Sequence, residues 1–185
     1  WRVPKVSKPM PGRLSCGSPG PMMSRDSDRI ASVEIDNPGV VRYHPDVERE
    51  LQVAIYDLTE DNSFAPNPAH FETVAPGPYA LILRAQGRQL VFDITATDGN
   101  AVGLLPLPLT PFRKIIKDYF TICESYYEAI RSASPTQIEA IDMGRRGLHN
   151  EGADRLRDLL SGRIEIDHAT ARRLFTLICA LHIRA

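Results

Sequence analysis

The sequence predicts an α+β fold in which one helix covers a small antiparallel sheet and three helices make up the C-terminal half. Between residues 30 and 107, short alternating stretches are separated by turn residues, which is typical of strands. From Thr110 to Ala185, apolar residues recur at intervals of three and four, which is typical of packed helices. We therefore expect the C-terminal helices to pack against the sheet or beside it.

The first 28 residues are predicted to be a disordered tail that is not part of the fold. Five prolines and three glycines lie there among serines and basic residues, without hydrophobic periodicity. Since the chain starts with Trp1, we interpret residues 1–21 as lying upstream of a natural start at Met22 or Met23. Residues 29–185 are then expected to form a single domain.

Four strands are predicted for the sheet. Residues 30–35 alternate as a strand does, and residues 79–84 and 89–95 flank a glycine turn, which is the pattern of a β-hairpin. Residues 102–107 should add a last strand, which Pro106 restricts to an edge or shortens because proline has no backbone N–H to donate.

Four helices are predicted from their starting signals and their apolar periodicity. Residues that are favoured at helix starts occupy these positions: Pro45, Thr110, Ser134 and Asp167. The first helix should run to about Glu60, and the third should end near Ser161. The second carries a broad apolar stripe over five turns. Residues 61–78 contain four prolines and are predicted to be a loop.

Several segments resemble one known family: residues 48–50, 53–58, 90–94, 109–113, 118–120, 122–131, 137–152 and 170–179. Together they are similar to the bacterial family catalogued as uncharacterised protein family 0262, and the similarity spans most of residues 29–185. The resemblance implies a soluble bacterial domain located in the cytoplasm. The activity of that family is unknown, so the resemblance implies no catalytic residues.

The main candidate for a functional surface is segment 142–152, which has three glycines within nine residues. Each glycine inside a helix costs about 1 kcal/mol relative to alanine, so either the chain breaks there or another backbone comes close. If the segment is helical, residues 142, 145, 146 and 149 share a face. Two guanidiniums beside a histidine can hold a phosphate or a carboxylate. The candidate ligand-binding residues are Arg145, Arg146, His149 and Asn150.

A purely structural interpretation of this segment is also open. Gly144 and Gly147 would then let helices cross closely, and Arg145 with Asp142 would form surface pairs that contribute little. The sequence leaves both interpretations open, and it leaves open whether the segment is helix or loop.

Two functions are consistent with the residues. The first is a non-enzymatic binding or regulatory module that engages a protein partner or an anionic small molecule through this basic surface. On that hypothesis, the double variant Arg145→Ala, Arg146→Ala should keep its melting temperature and lose its partner. The alternative is an enzyme acting on a phosphorylated or carboxylated metabolite, with His149 as general acid or base and Glu151 orienting it.

Other classes of function lack the residues that they need. No phosphate-binding glycine loop or dinucleotide fingerprint is present, so no cofactor is expected. Cys123, Cys179 and His182 are interpreted as core or terminal residues and not as metal ligands. No apolar run is long enough for a membrane span. Arg172 and Arg173 on the last helix suggest a nucleic-acid contact, but the net charge of −1 argues against it. The sequence predicts no particular oligomeric state.

Overall fold

The structure is a computed structural model, which describes residues 27–36, 45–71 and 75–182. In chain order its helices and strands are β1 (Ile30–Asp36), α1 (Pro45–Glu60), β2 (Phe64–Pro66), β3 (Tyr79–Gln86), β4 (Gln89–Ala96), β5 (Ala101–Pro108), α2 (Arg113–Ser132), α3 (Pro135–Leu160), β6 (Ile164–Ile166) and α4 (His168–His182). The predicted α+β class and the four predicted helices are confirmed. Within these ranges, no helix combines the length and the apolar character that crossing a bilayer requires.

The main sheet has the strand order β1-β3-β4-β5. The predicted hairpin of β3 and β4 is present, and β5 pairs antiparallel to β4 at an edge of the sheet. Strand β1 differs from the expected antiparallel arrangement, because it pairs parallel to β3 and the sheet is therefore mixed. The reason lies in the connection: a chain that passes from one strand to its neighbour through a helix returns in the same direction. Helix α1 supplies that crossover and packs on β1.

Helix α4 is the central element of the C-terminal half. It packs against α1 on one side and α3 on the other, and it also contacts β3, so it shares with α1 the role of covering the sheet. Its side chains from Leu177 to Leu181 are all buried. The N-terminal end of α4 follows the prediction, since the backbone N–H of Thr170 donates to Asp167 Oδ1 at 2.6 Å.

The structure contains a second, two-stranded sheet that the sequence does not predict. Residues 64–66, which we predicted to lie in a loop, form β2 and pair antiparallel with β6. Strands of three residues show too few alternations to reveal their period. The boundary of the predicted tail also differs, because the carbonyl of Asp28 accepts a hydrogen bond from the backbone N–H of Phe64 at 2.9 Å. The rest of the predicted tail, residues 1–26, lies outside the described residues.

Candidate functional site

Segment 142–152 is helical throughout. Helix α3 continues from Pro135 to Leu160 without a break, and none of its glycines has a positive φ. It starts as predicted: Pro135 occupies the first position, and the backbone N–H of Ser134 donates to Gln137 Oε1 at 3.1 Å. The helix ends just before Gly162, whose φ of 74° favours glycine. Residues 142, 145, 146 and 149 therefore share a face of α3, as predicted.

An open pocket of about 510 Å³ lies where α1, α3 and α4 meet. Its lining combines five arginines with two carboxylates, one histidine and a few small or apolar residues. The lining residues are Arg49, Glu50, Val53, Ala54, Asp57, Arg145, Arg146, His149, Ala169, Arg172, Arg173 and Thr176. The pocket thus brings together three of the four predicted ligand-binding residues and adds basic residues from two other helices.

Arg145 is held in place by carboxylates on two helices. Its Nη1 donates to Glu50 Oε1 at 2.6 Å, and its Nη2 donates to Asp142 Oδ1 at 2.9 Å. The hydroxyl of Tyr119 donates to the other oxygen of Glu50 at 2.6 Å. The hydrogen bond from Arg145 lowers the pKa of Asp142, and the charges of Arg145 and Arg146 act in the same direction. This network fixes α1 against α2 and α3 at the base of the pocket.

His149 is a buried, neutral part of the pocket wall. It packs edge-on against the rings of Tyr119 and Phe175, with centroid distances of 4.9 and 6.0 Å. Burial, together with the smaller effect of the positive charges of Arg145 and Arg172, lowers its pKa to about 4. Its Nδ1 lies 3.5 Å from Thr176 Oγ1. Because the imidazole is deprotonated near pH 7, it adds no charge to the pocket.

The arginines of α1 and α4 were not predicted as part of this site. Arg49 comes from α1, while Arg172 and Arg173 come from α4. The Nε of Arg172 is buried and has no hydrogen-bond partner among the described residues, whereas Arg173 donates to the backbone carbonyl of Asp61. The paired arginines were visible in the sequence, but their position beside α3 depends on how the helices pack.

Asn150 and Glu151 do not join the pocket. Both are exposed, and neither belongs to the lining. Successive residues of an α-helix are turned by about 100°, so a residue one or two positions after His149 faces a different direction. The hydrogen bond and the charge of Asp118 raise the pKa of Lys114, and the charge of Glu151 adds a smaller effect in the same direction, so Glu151 faces that lysine and not the pocket. The predicted role of Glu151 in orienting His149 is therefore not seen, and the side chain of Thr176 lies beside the histidine instead.

Two of the three glycines in α3 are explained by helix packing. A Cβ on Gly144 would lie 2.6 Å from Ile122 Cδ1 of α2, and one on Gly152 would lie 2.5 Å from the ring of Phe175 in α4. A Cβ on Gly147 would meet nothing within 4 Å. Close helix crossing, which was the structural interpretation of this segment, therefore holds for Gly144 and not for Gly147.

The cysteines lie where the core interpretation places them. Cys123 and Cys179 are buried, and burial raises the pKa of Cys123 to about 11. Both are thus protonated near neutral pH. Within the described parts of the chain, no three histidine, cysteine or acidic side chains are grouped as they would be around a metal ion. The side chain of His182 lies outside the described residues.

Replacing Arg145 should destabilise the fold, which corrects the expectation that the double alanine variant keeps its melting temperature. The Arg145 side chain is 22% exposed, and Arg145→Ala would leave Glu50 without its cation, so we expect a loss of about 1 kcal/mol. The Arg146 side chain is 69% exposed, and Arg146→Ala should change the stability by less than about 0.5 kcal/mol. Urea denaturation of the two single variants measures the difference. Equal stability of both would contradict the assigned role of Arg145.

The fold and the site together define an α+β domain with an arginine-lined pocket at the junction of three helices. The chain belongs to the Uncharacterised protein family (UPF0262), whose family model matches residues 27–184. The predicted resemblance is thereby confirmed.

The alignment with each of three curated relatives covers nearly the whole length of that relative. A UPF0262 protein of Rhizobium etli is 57% identical over 162 residues, which are 88% of this chain and 99% of the relative. UPF0262 proteins of Paramagnetospirillum magneticum and Brucella canis are 52% and 54% identical over 156 residues, or 84% of this chain and 96% and 94% of theirs. No solved structure matches.

Proposed function

We propose that this protein is a cytoplasmic, non-enzymatic binding module that holds an anionic small molecule in the pocket between α1, α3 and α4. The observation that carries the proposal is the convergence of arginines from three helices on one concave site that has only two carboxylates in its lining. Like charges that gather in a concave site raise the local concentration of an oppositely charged ligand. A ligand with negative charge would therefore reduce the repulsion among these arginines.

The hydrogen-bonding state of the arginines supports an oxyanion as the ligand. A buried donor without a partner costs about 1–3 kcal/mol, and the Nε of Arg172 is in that state. A guanidinium presents five N–H donors in a planar fork that matches the oxygens of phosphate and carboxylate. An anion oxygen that reached this Nε would supply the missing acceptor and remove that cost.

The shape of the site favours a small molecule over a protein partner. A volume of about 510 Å³ lies within the usual range of about 300–1,000 Å³ for small-molecule pockets. Val53, Ala54 and Ala169 supply apolar wall beside the charged groups. Such a mixed lining fits a metabolite that has an anionic group attached to a less polar body.

The competing proposal is an enzyme that acts on a phosphorylated or carboxylated metabolite. His149 favours it because the residue lines the pocket beside the arginines. With a pKa of about 4, however, this histidine is neutral near pH 7, and in that state it is a poor general acid and a weak base. A His149→Asn variant that binds ligand normally but loses a measured turnover would favour the enzyme over the binding module.

Removing the guanidinium of Arg172, whose Nε lacks a partner, should weaken anion binding. We expect Arg172→Met, which keeps an apolar stem, to reduce the affinity for phosphate, sulfate and citrate by about tenfold, since a hydrogen bond to a charged group contributes about 1.5–3 kcal/mol. Arg49→Ala should act in the same direction. Isothermal titration calorimetry measures the affinities.

The matched control for these variants is Arg155→Ala, which removes an exposed arginine of α3 that is not part of the pocket lining. It should leave the affinities unchanged. The proposed function is wrong if none of the three anions binds the native protein, or if Arg155→Ala weakens binding as much as Arg172→Met does.

A further inference from the structure

We propose that the pocket selects a doubly charged, tetrahedral group: the terminal phosphate dianion of a small phosphate monoester. This inference depends on the anion-binding function proposed above and specifies its ligand. It follows from the charge that the pocket leaves uncompensated, from the three helices that supply its arginines, and from the apolar residues in the same lining.

The charge balance of the pocket corresponds to two negative charges on the ligand. The five lining arginines exceed the two lining carboxylates, Glu50 and Asp57, by three charges. Asp142 lies next to the lining and bonds to both Arg145 and Arg146, which reduces the excess to two. His149 is neutral and does not change this balance. A monoanion would leave one positive charge uncompensated, and a nucleoside triphosphate would bring more negative charge than the arginines balance.

The arginines that remain available approach from different helices. Arg145 uses three of its five N–H groups on Glu50 and Asp142, so its main role is to position the site. Arg49 belongs to α1 and Arg172 to α4. Arg146 on α3 bonds to Asp142 through its Nε, so its terminal N–H groups remain for a ligand. A flat carboxylate accepts one guanidinium fork in its plane, whereas a phosphate presents three oxygens in different directions. Donors from three helices therefore fit the tetrahedral group better.

The apolar part of the wall indicates that the phosphate is attached to a carbon skeleton. Val53 is 53% exposed and lies on α1 together with Ala54, while Ala169 faces the pocket from the start of α4. Free inorganic phosphate would leave this wall in contact with water. An ester with a short aliphatic or sugar-like body would cover it, so the monoester should bind more tightly than the free ion.

The decisive experiment compares glycerol phosphate with sulfate at pH 5.0 and pH 8.0 by calorimetric titration of the full chain. The second pKa of a phosphate monoester is about 6, so its dianionic fraction rises about tenfold between these values. Sulfate is a dianion at both. We expect the dissociation constant of glycerol phosphate to fall about tenfold from pH 5.0 to 8.0 and that of sulfate to change less than about twofold.

The sulfate titration also controls for ionisation of the protein. Among the described residues, the charged or titratable groups that face the pocket are Glu50 and Asp57 of α1, Asp142 and His149 of α3 and the five arginines, and any change in their charge would affect both anions. A titration with inorganic phosphate at pH 8.0 distinguishes the free phosphate ion from a phosphate monoester as the ligand. Weaker binding of the free ion supports a monoester, and equal binding supports selection of the dianion while overturning the contribution of the ester body.

Failure of the inference and failure of the proposed function give different results. If glycerol phosphate, sulfate and citrate all fail to bind, anion binding itself is refuted. If they bind but succinate, a dianion whose two carboxylate groups are each planar, binds as tightly as glycerol phosphate at pH 8.0, the preference for a tetrahedral group is refuted. If the affinity for glycerol phosphate is the same at both pH values, the selection of a dianion is refuted although the pocket still binds anions.

Discussion

Acidification from pH 7 to pH 4 should remove up to about 3 kcal/mol of folding stability through His149 alone. The pKa of this histidine is lowered from 6.5 to about 4 in the folded protein, chiefly because the ring is buried. Each unit of pKa difference corresponds to about 1.4 kcal/mol. Between these two values the unfolded chain binds more protons than the folded one, so the stability falls as the pH falls through this window. Above pH 6.5 the contribution is fully present.

Chemical denaturation monitored by circular dichroism at closely spaced pH values from 4 to 8 measures this loss. The matched variant is His149→Gln, which keeps a polar side chain of similar size but cannot be protonated in this range. The variant should start from a lower stability at pH 7 and depend less steeply on pH between 4 and 6.5. If the native protein and the variant lose stability in parallel, His149 is not the group responsible. The buffers should contain neither phosphate nor sulfate, because both are proposed ligands.

Much of the fold followed from the sequence because its signals are local. The starts of α1 and α3 were placed correctly since proline and the capping residues act within a single turn. The edge position of β5 followed from the missing N–H of Pro106. The direction of β1, by contrast, is not determined by a local sequence signal. It depends on the crossover through α1, and the residues of β1 look the same in a parallel and an antiparallel pair.

The candidate site was predicted only in the part that lies on one helix. Arg145, Arg146 and His149 share a face of α3 because of helical spacing alone. Arg49 and Arg172 belong to α1 and α4, and only the packing of α4 between α1 and α3 brings them to the same pocket. The spacing also says nothing about which arginine is already bonded. Arg145, one of the candidates from the sequence, is held by Glu50 and Asp142, and the unsatisfied donor is on Arg172.

The glycines of α3 show why composition alone left two interpretations open. An unusual number of glycines in a helix indicates that something comes close, but it does not identify which glycine is responsible. In the structure Gly152 faces the ring of Phe175, and Gly147 faces open space on the exposed side. Phe175 in turn contacts His149, so the backbone at Gly152 supports the histidine wall of the pocket from behind.

Replacing Gly152 by valine should destabilise the protein by about 3 kcal/mol, at the upper end of what overpacking costs in a core. The Cβ alone would lie 2.5 Å from three atoms of the Phe175 ring, and Phe175 is fully buried, so the ring has no free space to move into. The same substitution at Gly147 meets no atom within 4 Å. Because valine tolerates a helix slightly better than glycine does, Gly147→Val should change the stability by less than about 0.5 kcal/mol.

Thermal and urea denaturation of the two valine variants should be measured side by side. The change in helix propensity is the same in both variants, so the difference in their stability reports the crowding at Gly152. The displacement of Phe175 should also move His149, so Gly152→Val should weaken phosphate-monoester binding at temperatures where the variant remains folded, whereas Gly147→Val should bind like the native protein. A Gly152→Val variant with native stability and native affinity would show that α3 and α4 are not packed as closely as the 2.5 Å approach requires. In that case the pocket wall would not depend on this helix crossing.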